Sequence, residues 1–299
     1  MSRPAPTPVS FKLGDITVLR LKETLGRAFR PAELLADFDP ETIDANAAWL
    51  MPNHYDSAAQ RFVMGTHSWI LCTARHKILV DTCIGNHKPR PHRPGFDMLE
   101  LPYLERLAEL GLKPEDITHV FCTHMHVDHV GWNTRLLDGR WVPTFPKAKY
   151  LFARAEYDWL RGLAEATGED HADDGPLFRD SVEPVVAAGL VEWVADGFQI
   201  EDGIRLEVAG GHTPCSMVMH VESGEGRALL IGDICHHPLQ VYHPDWNSNF
   251  CVDPVAARAS RRHVLGVVAE NGGLLMPAHF GAPHAVKVRA RGDAFEIPF

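Results

Sequence analysis

The sequence predicts an α/β protein in which two β-sheets pack together with helices outside. Three observations carry that expectation. Short β-rich runs come first, helical stretches are interleaved with them, and the second half repeats this style without repeating the sequence. Composition agrees: with 299 residues, 45% hydrophobic and 23% charged, the chain is ordinary for a folded protein and can bury a large core without disulfides. A single domain over residues 1–299 is expected.

Strands are expected at residues 16–21, 68–72 and 77–81, the last two joined by a reversal at 74–76. Residues 28–53, with Leu34, Leu35, Phe38 and Trp49, read as a helical insertion that covers a pocket, forms a subunit contact or packs as core. A helix is expected over 98–110, where Leu101, Leu104, Leu107 and Ala108 share a face and Gly111 stops it. Residues 117–122 read as a buried strand that delivers the chain into THMHVDHVG. A strand over 149–152 and a helix over 155–163 follow, then an acidic stretch, 164–175, expected as a surface excursion. Further strands are expected at 190–194, 204–208, 217–221 and 228–231. Asp253 as N-cap, with Pro254 at the first helical position, opens a helix that ends at 271–273. Its inward face is expected to run through Ala256, Ser260, His263 and Val267. Residues 273–276 form a last core strand leading into PAHF.

Other features exclude function classes. The start, MSRPAPTPVS, lacks the apolar segment of a secretory signal, and its prolines favour an extended, frayed conformation. No run approaches the ~18 apolar residues of a membrane span. The six cysteines (Cys72, Cys83, Cys122, Cys215, Cys235 and Cys251) contain no C-x-x-C pair and favour reduced thiols in a cytoplasm. A formal net charge of −10, spread along the chain, argues against nucleic acid or an anionic membrane as partner.

One run dominates the chemistry. His124-Met125-His126-Val127-Asp128-His129 places four possible metal ligands within six residues, where a strand becomes a loop. Residues two apart in extended chain point the same way, so His124 and His126 can reach one ion. If the chain then turns, Asp128 and His129 can face a second. Imidazole and carboxylate ligands suit zinc, and also accept manganese, iron or cobalt. His212 in AGGHTP, Asp233 in LLIGD and His279 in LLMPAH each follow an apolar run in the same manner.

The motifs HMHVDH, GHTP, GD and PAHF, in this order, resemble the metallo-β-lactamase superfamily of hydrolases over nearly the whole chain. The resemblance implies an αββα sandwich: two mixed β-sheets, helices on the outer faces, and a metal cleft at one edge. It implies that His124, His126 and His212 hold one ion, that Asp128, His129 and His279 hold another, and that Asp233 bridges them. The implied cofactor is two divalent metal ions per chain, zinc first among them. Such a pair lowers the pKa of bound water toward ~7 and supplies a nucleophile.

Many relatives read GHTPGH where this chain reads GHTPCS, so Cys215 and Ser216 depart from the pattern. Cys215 either supports the ligands, acts as a redox-sensitive thiol or packs as core, and Cys122 is expected in the core. His236, His237 and His284 either donate to a substrate oxygen or belong to a polar surface loop. His119 is expected in the core or behind the ligands, and the remaining histidines at the surface. Trp132, Phe145, Trp246, Phe250 and Phe280 either wall an apolar pocket or pack nearby.

The bridging Asp233, the long approach to the first motif and the long helix before the last histidine are most similar to the lactonase and methyl-parathion-hydrolase-like branch. That similarity implies hydrolysis of a lactone or other carboxylic ester, a small-molecule substrate. A metal-bridging hydroxide would attack the carbonyl, and Asp128 or Asp233 would act catalytically by carrying a proton to the leaving alkoxide. The alternative is organophosphate triester or diester hydrolysis on the same core. Thioesterase, β-lactamase, iron-dependent sulfur dioxygenase and non-catalytic metal-binding roles rank below these. The 28–53 insertion and the resemblance hint at a homodimer.

Overall fold

A strand buried on both faces needs apolar residues at consecutive positions, whereas one facing water needs them only at alternate ones. The central strands here are of the first kind. The computed structural model describes residues 10–166 and 172–298. Nearly all of the expected extended start, and residues 167–171 of the expected excursion, lie outside them.

The first sheet runs in the order Ser10–Leu13, Ile16–Arg27, Arg61–Cys72, Lys77–Val80, His119–Phe121, Lys149–Ala153, Val191–Val194, with Tyr55–Asp56 paired to Arg61–Cys72. It is antiparallel as far as Lys77–Val80 and parallel beyond it. The second sheet runs Gln199–Glu201, Ile204–Val208, Met217–Ser223, Gly226–Gly232, Leu274–Pro277, Val286–Lys287. Gly226–Gly232 and Leu274–Pro277 are its parallel pair.

Side-chain alternation builds the layers. Trp69, Leu71, Ile78, Val80 and Phe121 of the first sheet meet Leu206, Met217, Met219, Leu230 and Met276 of the second. The intervening residues Ile70, Leu79 and Val120 point outward, onto Tyr103 and Leu107 of helix Tyr103–Glu109 and Leu160 of helix Arg154–Glu165. On the far side, Val218, Leu229, Ile231 and Leu275 cover Val264, Leu265 and Val268 of helix Pro254–Asn271. The order of layers is therefore helix, sheet, sheet, helix, the αββα sandwich. Each fully buried side chain of this size contributes roughly 1.5–3 kcal/mol.

The parallel pairings gather several connecting loops on one side of the sandwich. Parallel neighbours end at the same edge, so the segments after Lys77–Val80, His119–Phe121, Gly226–Gly232 and Leu274–Pro277 emerge together. The Asp81 N–H donating to the Phe121 carbonyl at 2.8 Å extends one pairing past its strands.

Three local expectations are corrected, and the helical insertion is made specific. The helix expected over 98–110 begins only at Tyr103, because Pro102 lacks an N–H and disfavours helical geometry just before it. The insertion over 28–53 is three short helices, Pro31–Leu34, Glu41–Ala45 and Ala47–Leu50, packed through Leu34 and Leu50 on Phe62 and Leu239. Asp253 does cap its helix, accepting from Val255 and Ala256 N–H at 3.0 Å, and Gly272 closes it in the left-handed region at φ 68°. The buried face is displaced by one residue, to Ala257, Arg261, Val264, Leu265 and Val268. The cause is Arg261, whose buried guanidinium donates to the Ile234 and Pro244 carbonyls at 2.8 Å and interrupts the apolar periodicity. Finally, Asp173 and Asp174 are buried rather than on an excursion, with Asp173 lying 3.6 Å from Arg93. Among the described residues, no helix is long and apolar enough to cross a membrane.

Candidate metal centre

Both sheets deliver ligand-type residues to one edge. Oxygen and nitrogen atoms of His124, His126, His212 and Asp233 lie within 4.8 Å of one another, and those of Asp128, His129 and His279 form a second such group. Asp233 stands between the groups. Its Oδ2 faces His212 Nε2 at 3.3 Å and His124 Nε2 at 3.8 Å. Its Oδ1 faces His279 Nε2 at 3.0 Å and His129 Nε2 at 3.3 Å. Asp128 approaches the second group from the other side, 3.5 Å from His279 and 3.7 Å from His129. The structure thus brings together every residue that the sequence singled out as a ligand.

The opposite ring nitrogens are fixed from behind, which sets which nitrogen faces inward. His129 Nδ1 donates to Asp81 Oδ2 at 2.9 Å, and His279 Nδ1 donates to the Gly65 carbonyl at 2.8 Å. His124 Nδ1 donates to Thr123 Oγ1 at 3.1 Å, and that hydroxyl donates to Asp81 at 3.0 Å. Cys251 Sγ lies 4.0 Å from His212 Nδ1. Gly232, at φ 48°, lets the chain turn against Thr123 into Asp233, where a Cβ would collide with the Thr123 side chain.

Several observations fit cations at this point. His126 Nδ1 meets His124 Nε2 at 3.1 Å and His212 Nε2 at 2.9 Å, three ring nitrogens converging on one point where a cation would take their lone pairs. Asp233 Oδ1 and His129 Nε2 are buried without a well-formed hydrogen bond, which costs roughly 1–3 kcal/mol apiece unless something else satisfies them. Burial and the neighbouring imidazoles push His124 and His126 well down, so both present neutral nitrogen. Burial opposes charge on Asp233, yet His279, His129 and His236 hold its carboxyl well below the usual range. The donor set of imidazole nitrogen and carboxylate oxygen is the kind that holds zinc and related divalent ions.

A cavity of about 840 Å³ opens onto Asp128, His212, Asp233 and His279. Leu25, Phe29, Met64, Ile84, Phe96 and Phe250 give it an apolar wall, and Arg27, Arg61 and Arg93 lie among its other lining residues. Of the aromatics considered from sequence, Phe250 lines it. Trp132 stacks on Tyr103 at 4.9 Å, Phe145 sits in the core under the outer helices, Phe280 packs behind the second sheet, and Trp246 packs on Phe38. Proximity in sequence to a ligand does not aim a side chain at the cavity. Phe29 and Phe96 arrive from segments remote from every motif.

The histidines outside the ligand set divide. His236 is buried, lines the cavity and places Nε2 3.1 Å from Asp233 Oδ2. His237 is buried away from it, stacked on Phe62 at 3.8 Å and donating to the His54 carbonyl. His284 is buried too, donating to the Phe280 carbonyl at 2.6 Å. None of the three belongs to a polar surface loop. His119 is neither core nor behind the ligands: it is half-buried against His76, with centroids 4.7 Å apart. His54, His67 and His220, expected at the surface, are buried. All six cysteines are free thiols.

Asp81, Thr123 and Glu156 escaped the sequence reading. Asp81 follows the apolar strand Lys77–Val80, so the rule that found Asp233 would have found it. Glu156 carries no such signal, because it sits in the first turn of a helix.

Residues 61–279, most of the chain, match the family model of the Metallo-beta-lactamase superfamily. Metallo-beta-lactamase domain-containing protein 1 of Mus musculus is 30% identical over 183 residues, 61% of this chain and 55% of that protein. An N-acyl homoserine lactonase of Bacillus cereus is 22% identical over 125 residues, 42% of this chain and 41% of that protein. The chain spans about half the length of these curated relatives, or less. Among solved structures, a hydrolase called AbOPH is similar with a TM-score of 0.80 at 20% identity, covering 99% of this chain and 98% of that one. AidC, described as a dizinc quorum-quenching lactonase in complex with a product, gives 0.78 at 20% identity, covering 96% and 95%. With its αββα sandwich, its edge-clustered histidines and aspartates and this match, the chain belongs to the metallo-β-lactamase superfamily.

Proposed function

We propose that the protein is a metal-dependent hydrolase acting on a lactone or other carboxylic ester. The observation that carries this reading is Asp233, whose two carboxylate oxygens face two separate ligand groups beside an apolar cavity. In this reading His124, His126 and His212 hold one ion and Asp128, His129 and His279 the other, with Asp233 shared; zinc is the first choice. When bound, such a pair supplies Lewis acidity and brings the pKa of water toward ~7.

The chain's own residues do the rest. The wall of Phe29, Met64, Phe96 and Phe250 holds an apolar substituent and excludes water from the carbonyl. Asp128 lines the cavity and is partly accessible, so it accepts a proton from water and returns it to the departing alkoxide. Asp233, enclosed by imidazoles, holds the ions rather than moving protons. Similarity to proteins called N-acyl homoserine lactonases supports the choice of lactone over phosphoester.

The test is a panel. Zinc-loaded enzyme is offered lactones with short and long acyl substituents, aryl esters and aryl phosphotriesters. Lactones or esters are expected to be turned over fastest. Faster turnover of phosphotriesters than of every lactone and ester would overturn the substrate assignment, and no hydrolysis by enzyme that binds two ions would overturn the enzyme itself.

A further inference from the structure

Helix Arg154–Glu165 starts directly after strand Lys149–Ala153. Its N-cap residue is Ala153, which has no side-chain oxygen, and Glu156 occupies the third helical position. A glutamate there ordinarily reaches back to the cap backbone. Glu156 does something else. Its Oε1 accepts from the Met125 N–H at 3.3 Å, and its Oε2 accepts from the Cys215 N–H at 3.0 Å. The Thr213 side chain donates to it as well. The residue is 1% exposed.

These donors are not arbitrary. Met125 lies between His124 and His126, and Thr213 and Cys215 follow His212. The first loop leaves strand His119–Phe121 of one sheet, and the second leaves Ile204–Val208 of the other. At the roots of the loops one backbone bond, from Met217 N–H to the Thr123 carbonyl, already ties them. Glu156 ties them again near their tips. One turn further along the same helix, Trp159 sets its ring 5.9 Å from His126 and backs it. A buried carboxylate is costly, and this one does not cap its own helix. Two loops held at a fixed separation account for its place.

We propose that Glu156 is a positioning residue for the three-histidine metal site, a carboxylate clasp that sets the distance of His212 from His124 and His126. This rests on the ligand assignment given above. Residues behind metal ligands ordinarily tune affinity by about 10–100-fold when lost.

Glu156→Gln tests it, since it keeps the volume but turns one acceptor into an NH2 facing a backbone N–H. Chelator-stripped wild type and variant are titrated with zinc alone, and with cobalt for its visible spectrum. Wild type is expected to take two ions. The variant is expected to bind one of them about 10–100-fold more weakly and to show an altered spectrum for that ion, the other remaining unchanged. Two ions bound at wild-type affinity with an unaltered spectrum, and a melting temperature lowered equally in stripped and loaded protein, would reduce Glu156 to a structural residue and overturn the clasp. If the variant does not fold, amide exchange in stripped wild type decides: the Met125 and Cys215 N–H groups should be protected, and exchange at open-loop rates overturns the proposal. Wild type that takes up no zinc would overturn the ligand assignment and the clasp with it.

Discussion

Asp81→Asn should weaken the second ion while leaving the fold intact, and the reason can be followed atom by atom. Asp81 Oδ1 accepts from the Thr123 N–H at 2.8 Å, and its Oδ2 accepts from His129 Nδ1 at 2.9 Å. The residue adopts φ 57°, a left-handed conformation that asparagine tolerates as readily as aspartate, so the backbone is not disturbed. Asparagine can keep its oxygen toward Thr123. Its NH2 then faces the His129 Nδ1–H, donor against donor. The ring relieves that clash by moving its proton to Nε2, the nitrogen that faces Asp233 and the interior of the site. A protonated Nε2 cannot ligate. The zinc affinity of one site should fall about 10–100-fold, or roughly 1.4–2.8 kcal/mol, with the rate of hydrolysis falling alongside. Chelator-competition titration reads the affinity, and denaturant unfolding of the stripped protein checks the fold. Unchanged affinity for both ions would show that Asp81 does not set the His129 tautomer.

Other outcomes rest on the same geometry. His126→Ala should remove an ion at the three-histidine site and lower turnover steeply; full metal content in the variant would contradict the ligand set. Burial pushes the Glu23 carboxyl from 4.5 up to about 7, despite N–H donors in Ile84, Gly85 and Trp132. The native state then holds a proton that the unfolded chain releases, so stability should be full below pH 4.5 and fall by about 3 kcal/mol as the pH rises through 7. Denaturant unfolding of stripped Glu23→Gln should lack that decline, and an identical slope would refute the attribution. Asp253→Ala should cost about 1 kcal/mol of stability by removing the cap, with Asp253→Asn close to neutral, as thermal melts would show. Phe250→Ala should raise KM about tenfold for substrates with a large apolar substituent and leave kcat nearly unchanged, since Phe250 forms part of the apolar wall and is not among the ligands.

The ligand-type residues were legible because each obeys a local rule: an apolar run, a turn, then a side chain able to bind an ion. Four such residues within six positions leave few other readings for His124 to His129. Local rules failed where a side chain's partner is remote in sequence. Arg261 hid the true face of its helix because its buried charge is satisfied by carbonyls of Ile234 and Pro244, which no periodicity reveals. His54, His67 and His220 looked like surface residues for the same reason.

Sequence alone thus determined the element types, the layered class and which residues could serve a metal, since apolar period and turn chemistry act over a few neighbouring positions. Tertiary structure decided the rest. That Asp233 divides its oxygens between two groups, that Phe29 and Phe96 rather than Trp132 and Phe280 form the wall, and that Glu156 spans two loops all depend on contacts between segments tens of residues apart. Those contacts are set by how two twisted sheets stack, a property of the whole core and of no single stretch of chain.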